Sequence, residues 1–226
     1  MFERLKPLFQ EDGIAWLKTQ TVLVVGCGGV GSYAIEALVR SGIGTIVIVD
    51  DDTVHPSNLN RQLIAQLSTI GQKKVTVMAQ RIHDIHSECH VHAFAKRYTP
   101  SNRALFLSPK PDFIFDAVDD IDAKVDLALT AHKNTIPFLS ATGAGNRMHP
   151  DKLTIKPLKH TTIDPLARKL RMRLRETEAY HHSMCIVSLE TPIKTRGTVA
   201  SNSFVPPSAG LLGAAYIIQT LLEAKP

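Results

Sequence analysis

Short apolar runs rich in β-branched residues alternate along this chain with stretches whose apolar positions recur at helical spacing. "TVLVVG" (21–26) ends in glycines and "TIVIVD" (45–50) ends in an acid, and "SYAIEALVRSGIG" (32–44) between them reads as a helix that stops at Gly42. The alternation continues through a helix near 72–86, a strand around 89–95, a strand over 113–118, a helix around 122–133 and a strand over 136–141. Strands that are apolar throughout, not only on every second residue, belong in a parallel sheet covered by helices on both faces. The pattern predicts an α/β fold built on a doubly wound, mostly parallel sheet.

After Gly145 the rhythm changes to "KLTIKPL", a basic helix-like run (164–176), a histidine-rich stretch and the apolar "VPPSAGLLGAAYIIQTLLEA". We read a single domain over 1–226: an N-terminal arm or helix over 1–20, a core unit over 21–145, and a C-terminal part over 146–226 packed on the same core. The last segment is apolar for about 15 residues, short of the ~20 that span a bilayer, so a buried helix after Pro207 is expected and no stable membrane span.

The 226 residues are 44% hydrophobic and 6% aromatic, which suits a packed core and not a disordered chain. A formal charge of +5 with a pI near 9.2 suits either a polyanionic partner or a generically basic surface. Cys27, Cys89 and Cys185 are odd in number and lack C-x-x-C spacing, so neither a disulfide framework nor a four-cysteine zinc site is indicated. A reducing cytoplasm fits them, and the N-terminus lacks the basic-then-apolar order of a secretory signal.

Chemistry enters at the first strand–helix junction. Gly26, Gly28, Gly29 and Gly31 let the backbone turn tightly and approach a phosphate at a helix N-terminus, although the same glycines could serve a turn with no ligand. Asp50, at the end of the second strand, could accept a ribose hydroxyl, as in a Rossmann-like nicotinamide site. The next stretch, "DDDTVHPSNLNRQLI" (50–64), favours a different nucleotide. Asn58 and Arg61, three apart on a helical turn, can both reach phosphate oxygens; Lys74 follows in "GQKK", and Asp116 and Asp119 stand in "FDAVDD". Together they match the needs of a triphosphate and its magnesium.

"GCGGVGS", "DDDTVHPSNLNRQ", "GQKK" and "DAVDD" resemble the ATP-binding signature of the ThiF/MoeB/HesA superfamily, whose members adenylate carboxylates. Within it, "RSGIGTIVIVDDD", "NLNRQ", "ATGAGNRMHPDKL", "TTIDPLARKLR" and "SFVPPSAGLLGA" are similar to the tRNA threonylcarbamoyladenosine dehydratases, and the likeness runs nearly end to end. The resemblance implies ATP and Mg²⁺ as cofactors. It implies that Gly26, Gly28, Gly29 and Gly31 cradle ATP, that Asp50 holds the ribose, that Asn58, Arg61 and Lys74 face the phosphates, and that Asp119, with Asp116 as a neighbour, binds magnesium; either aspartate could instead cap the next helix. Arg61, Lys74 and Asp119 are the implied catalytic set. Arg4 matches an arginine that in this superfamily reaches across a homodimer to the partner's nucleotide, although a disordered terminus is the competing reading.

The implied reaction is dehydration and cyclisation of threonylcarbamoyladenosine in tRNA through an acyl-adenylate. Arg168, Lys169, Arg171, Arg173 and Arg175 are either a solvated helix or a phosphate-contacting surface for that tRNA. Adenylation of a ubiquitin-like carrier's Gly-Gly terminus is the second reading; the paired C-x-x-C zinc motifs of those relatives are missing here. Sulfur-trafficking or cysteine desulfurase partners are compatible with the family. Cys185 could capture an acyl group but reads better as structural, and neither His181–His182–Cys185 nor His83, His86, Cys89, His90 and His92 reads as a metal site.

Overall fold

The computed structural model describes residues 1–197 and 199–226. Seven strands form one sheet: β1 (Thr21–Val25), β2 (Thr45–Val49), β3 (His90–Phe94), β4 (Phe113–Asp116), β5 (Phe138–Ala141), β6 (Leu153–Pro157) and β7 (Met184–Ser188). Their order is β3-β2-β1-β4-β5-β7-β6, and every neighbouring pair is parallel except β6, which runs antiparallel to β7 at the edge. The helices are α1 (Lys6–Thr19), α2 (Gly31–Arg40), α3 (Lys74–Ile85), α4 (Arg103–Phe106), α5 (Ile121–Lys133), α6 (Pro165–Leu174), α7 (Ala179–His182) and α8 (Val205–Glu223).

The two cores explain why β1 and β2 are apolar at every position. Val22, Val24, Ile46 and Ile48 pack with Leu38 of α2, Met78 of α3 and Ile217 of α8, whereas Leu23, Val25, Val47 and Val49 pack with Leu127 of α5 and Leu170 of α6. Successive side chains point to opposite faces, and helices cover both. Gly42 ends α2 as expected, with φ +98°, a left-handed conformation that suits the residue just past a helix.

The C-terminal part completes the same sheet. β7 lies beside β5, and α8 begins at Val205, ahead of Pro207. Gly210 lets α8 approach α2, since a Cβ there would stand 2.3 Å from the Val30 carbonyl oxygen. By length and composition α8 could cross a membrane, but more than half of its apolar stretch is buried against the sheet and α2.

Candidate functional site

Strand order reverses between β1 and β4: from β1 the chain moves outward to β2 and β3, and from β4 it moves the other way to β5. Loops leaving such a pair diverge and open a crevice at the carboxyl ends of the strands. A cleft of about 840 Å³ lies there, lined among others by Gly28, Asp50, Asn58, Arg61, Lys74 and Asp119.

The glycines of the first loop divide the work. Gly26 has φ +97°, and a Cβ on it would come within 2.6 Å of the Ala117 carbonyl oxygen. A Cβ on Gly31 would strike the Gly26 carbonyl at 1.8 Å, and Gly31 does not line the cleft. These two close the turn and seat α2. Gly28 and Gly29 face the cleft, beside the N-terminus of α2, where backbone amides suit an anion. Asp50 ties the loop to β2: its carboxylate accepts from the amide of Cys27 at 2.6 Å and of Asp52 at 2.9 Å, and it also lines the cleft.

Asn58 lies in a short 3₁₀ turn over Pro56–Asn58 and is buried, its side-chain oxygen accepting from the His55 amide at 2.9 Å. Arg61 donates to the Ser57 carbonyl and to Asn60 Oδ1, both at 2.8 Å, which holds its guanidinium at the cleft. Lys74 opens α3, is 5% exposed, and pairs with Asp52 at 2.7 Å. Asp52, which no motif marks, supplies the counter-charge that allows a lysine to be so deeply placed.

At the end of β4 the three aspartates separate. Asp116 is fully buried and meets Lys124 Nζ at 3.0 Å and the Ser140 hydroxyl at 2.6 Å, while its second oxygen accepts from the Val118 amide. Both oxygens are therefore taken, and Asp116 does not fit as a cation ligand. Asp120 is the N-cap of α5, accepting from the amides of Asp122 and Ala123. It also pairs with Arg97 at 2.5 Å, and that hydrogen bond holds its carboxyl below the ordinary range. Asp119 is exposed in the cleft and has no ion pair among the described residues. A free carboxylate of this kind fits a hard divalent cation.

The basic run of α6 divides by what each side chain meets, not by helix face. Lys169 lines the cleft, and Arg168 and Arg175 are exposed. Arg171 instead donates to the Thr161 carbonyl and hydroxyl, and Arg173 pairs with Asp122 at 2.9 Å, so two of the five cations are engaged in the fold. Arg4 is exposed and does not line the cleft of its own chain. Nearby, Phe2 packs edge-on against His86 at the C-terminal end of α3, about 18 Å of helix away from Lys74.

Cys185 is buried within β7, and burial pushes its thiol up to about 12; burial likewise raises Cys27 and Cys89. His181 and His182 are exposed while Cys185 is not, and His182 stacks on His132. Among the described residues, the one group of three acidic, histidine or cysteine side chains with converging ligand atoms is Asp50, Asp51 and Asp52, not either histidine run. Lys96, Arg97 and Tyr98 wall the cleft beyond β3 without belonging to any motif that could have pointed to them.

The model of the ThiF family matches residues 3–222. The chain is 38% identical to the tRNA threonylcarbamoyladenosine dehydratase of Bacillus subtilis (strain 168), over 98% of this chain and 94% of that protein. The structure of the E. coli tRNA N6-threonylcarbamoyladenosine dehydratase in complex with ATP superposes with a TM-score of 0.93 at 31% identity, covering 99% of this chain and 94% of that one. The same E. coli protein in complex with AMP gives 0.91 at 31% identity, covering 97% and 92%.

Proposed function

The chain belongs to the ThiF family, and we propose that it uses ATP to dehydrate and cyclise threonylcarbamoyladenosine in tRNA through an acyl-adenylate. The observation that carries the reading is the convergence of Asp50, Asn58, Arg61, Lys74 and Asp119, from four stretches of sequence, on one cleft at the sheet's switch point. Near full-length similarity to named dehydratases favours this over adenylation of a carrier protein.

In this reading Gly28 and Gly29 admit the phosphates to the N-terminus of α2, and Asp50 accepts from the ribose. The substrate carboxylate attacks the α-phosphorus in line, an acyl–phosphate bond forms, and pyrophosphate departs with the electron pair of the broken bond. Arg61, Lys74 and the Asn58 amide steady the charge that gathers on the phosphate oxygens. Asp119 would hold magnesium, which contributes charge neutralisation on the phosphates. A nitrogen of the same modified group then attacks the activated carbonyl, closing a ring, losing its proton to solvent and expelling AMP. The net change in the nucleoside is the loss of one water.

Lys169 at the cleft, with the exposed Arg168 on α6 and Arg175 just past its end, supplies positive charge suited to tRNA phosphates. We place the enzyme in the cytoplasm as a homodimer, in which Arg4 serves the partner's cleft. Sulfur-trafficking or cysteine desulfurase partners remain part of the proposal through the family alone.

The test is incubation with ATP, magnesium and either threonylcarbamoyladenosine-bearing tRNA or a carrier protein ending in Gly-Gly, followed by nucleoside and intact-protein mass analysis. A nucleoside lighter by one water, with AMP formed, is expected. Carrier adenylation with unchanged nucleosides would overturn the proposal.

A further inference from the structure

Among the described residues, Lys124 is the one lysine whose side chain is fully buried with its charge met on three sides. From the first turns of α5 it reaches Asp116 at 3.0 Å, the Ser140 hydroxyl at 3.1 Å and the Ala141 carbonyl at 2.8 Å. Ser140 in turn donates to the same Asp116 oxygen at 2.6 Å, closing a three-membered network under the cleft floor. No motif of the nucleotide site includes Lys124 or Ser140.

The network encloses the turn that carries Asp119. Asp116 anchors its start by accepting from the Val118 amide at 3.2 Å, and Asp120 anchors its end by capping α5. Lys124 joins the two anchors, because it extends from the helix that Asp120 caps back to the carboxylate that holds Val118. It also pins both to the end of β5, so the turn has little freedom to rotate. A buried ammonium facing a buried carboxylate has a second effect: it commits Asp116 to the interior.

We propose that Lys124 is a positioning residue that fixes which aspartate of the β4 terminus is offered to the cleft cation, withholding Asp116 and presenting Asp119. The inference rests on the reading of Asp119 as the cation-holding carboxylate. Lys124 touches neither nucleotide nor metal; it acts through Asp116 and the 117–120 turn.

The experiment titrates Mn²⁺ into the full-length protein loaded with α,β-methylene-ATP, read by electron paramagnetic resonance, and measures the same nucleotide's affinity in EDTA by calorimetry. Lys124→Met should weaken Mn²⁺ binding by about tenfold, as loss of support behind a ligand does, with metal-free nucleotide affinity within about twofold of wild type. Lys124→Arg should restore most of the Mn²⁺ affinity. Asp119→Asn gives the reference loss. Should Lys124→Met fail to fold by circular dichroism, Ser140→Ala takes its place, with an expected loss of about threefold confined to Mn²⁺. Unchanged Mn²⁺ affinity in a folded variant, or an equal fall in metal-bound and metal-free affinity, overturns the positioning role. A wild-type protein that binds the nucleotide but loses no Mn²⁺ on Asp119→Asn sinks the assignment of Asp119 as well, and one that ignores the nucleotide sinks the proposed function itself.

Discussion

Asp119 and Asp120 are adjacent in the chain yet are committed to different tasks: Asp120 caps α5 and pairs with Arg97 at 2.5 Å, while Asp119 is left facing the cleft. Asp119→Asn should therefore abolish metal-dependent AMP formation without lowering the melting temperature. Asp120→Ala should instead cost about 1 kcal/mol of stability through the lost cap, with a smaller loss of turnover than Asp119→Asn because Asp120 also anchors the turn that carries Asp119. Paired denaturant melts and AMP assays separate the two, and a stability loss on Asp119→Asn would contradict the division.

Arg61 is held at the cleft by two hydrogen bonds from its own turn, so its truncation removes a cation without disturbing a core. Arg61→Ala should lower kcat/KM by about 10²- to 10³-fold, the usual loss for one charge-stabilising donor. Arg61→Lys should recover only part of it, because a point charge cannot reproduce the planar fork. Initial rates of pyrophosphate release over a range of substrate concentrations reaching well below KM check both.

Cys185→Ala should keep kcat/KM within about twofold of wild type, since a thiol buried in β7 and raised to about 12 is neither exposed nor ionised at neutral pH. Native protein should leave all three cysteines unreactive toward a thiol reagent at pH 8, with full reaction after denaturation. Rapid modification of Cys185 in the native state would contradict its structural role.

On α6 the free and the engaged cations should behave differently. Lys169→Ala and Arg168→Ala should weaken tRNA binding and lower the salt dependence, each by a slope of about one on a log–log plot. Arg171→Ala should instead cost stability, because its guanidinium ties α6 to the Thr161 carbonyl and hydroxyl. Filter binding across a salt series, beside melts, distinguishes them.

Glu36 of α2 bonds Arg81 of α3 at 2.6 Å and Arg40 at 2.7 Å. Burial works to raise the carboxyl, but the two guanidinium hydrogen bonds outweigh it and hold it below its ordinary value. A folded-state pKa lower than the unfolded one adds stability above the unfolded value, near about pH 4.3, and that stability disappears as pH falls through the folded value. Arg81→Ala should then be less stable than wild type at pH 7, with the difference shrinking on acidification. A gap that widens toward acid would have the wrong sign.

Much of the site was legible because its parts are local. The glycines of 26–31, the acid ending β2 and the Asn58–Arg61 spacing each declare themselves within a few residues, since a turn or a helix start needs particular residues at fixed offsets. Asp116 shows the limit. In sequence it stands beside Asp119 as an equal carboxylate, and only the reach of Lys124 from α5 and Ser140 from β5 makes it an interior anion. Asp52 as the partner of Lys74 was hidden for the same reason, because 22 residues separate them.

Periodicity and turn chemistry act over a few bonds, so the order of residues alone suffices for the doubly wound core, the glycine turn at the end of β1 and the cations that follow it. Tertiary structure decided which charges are free. Arg171, Arg173 and Asp116 are tied up by residues from neighbouring elements, whereas Lys169 and Asp119 reach the cleft, and whether a charge is spent depends on what folding brings within about 3 Å of it.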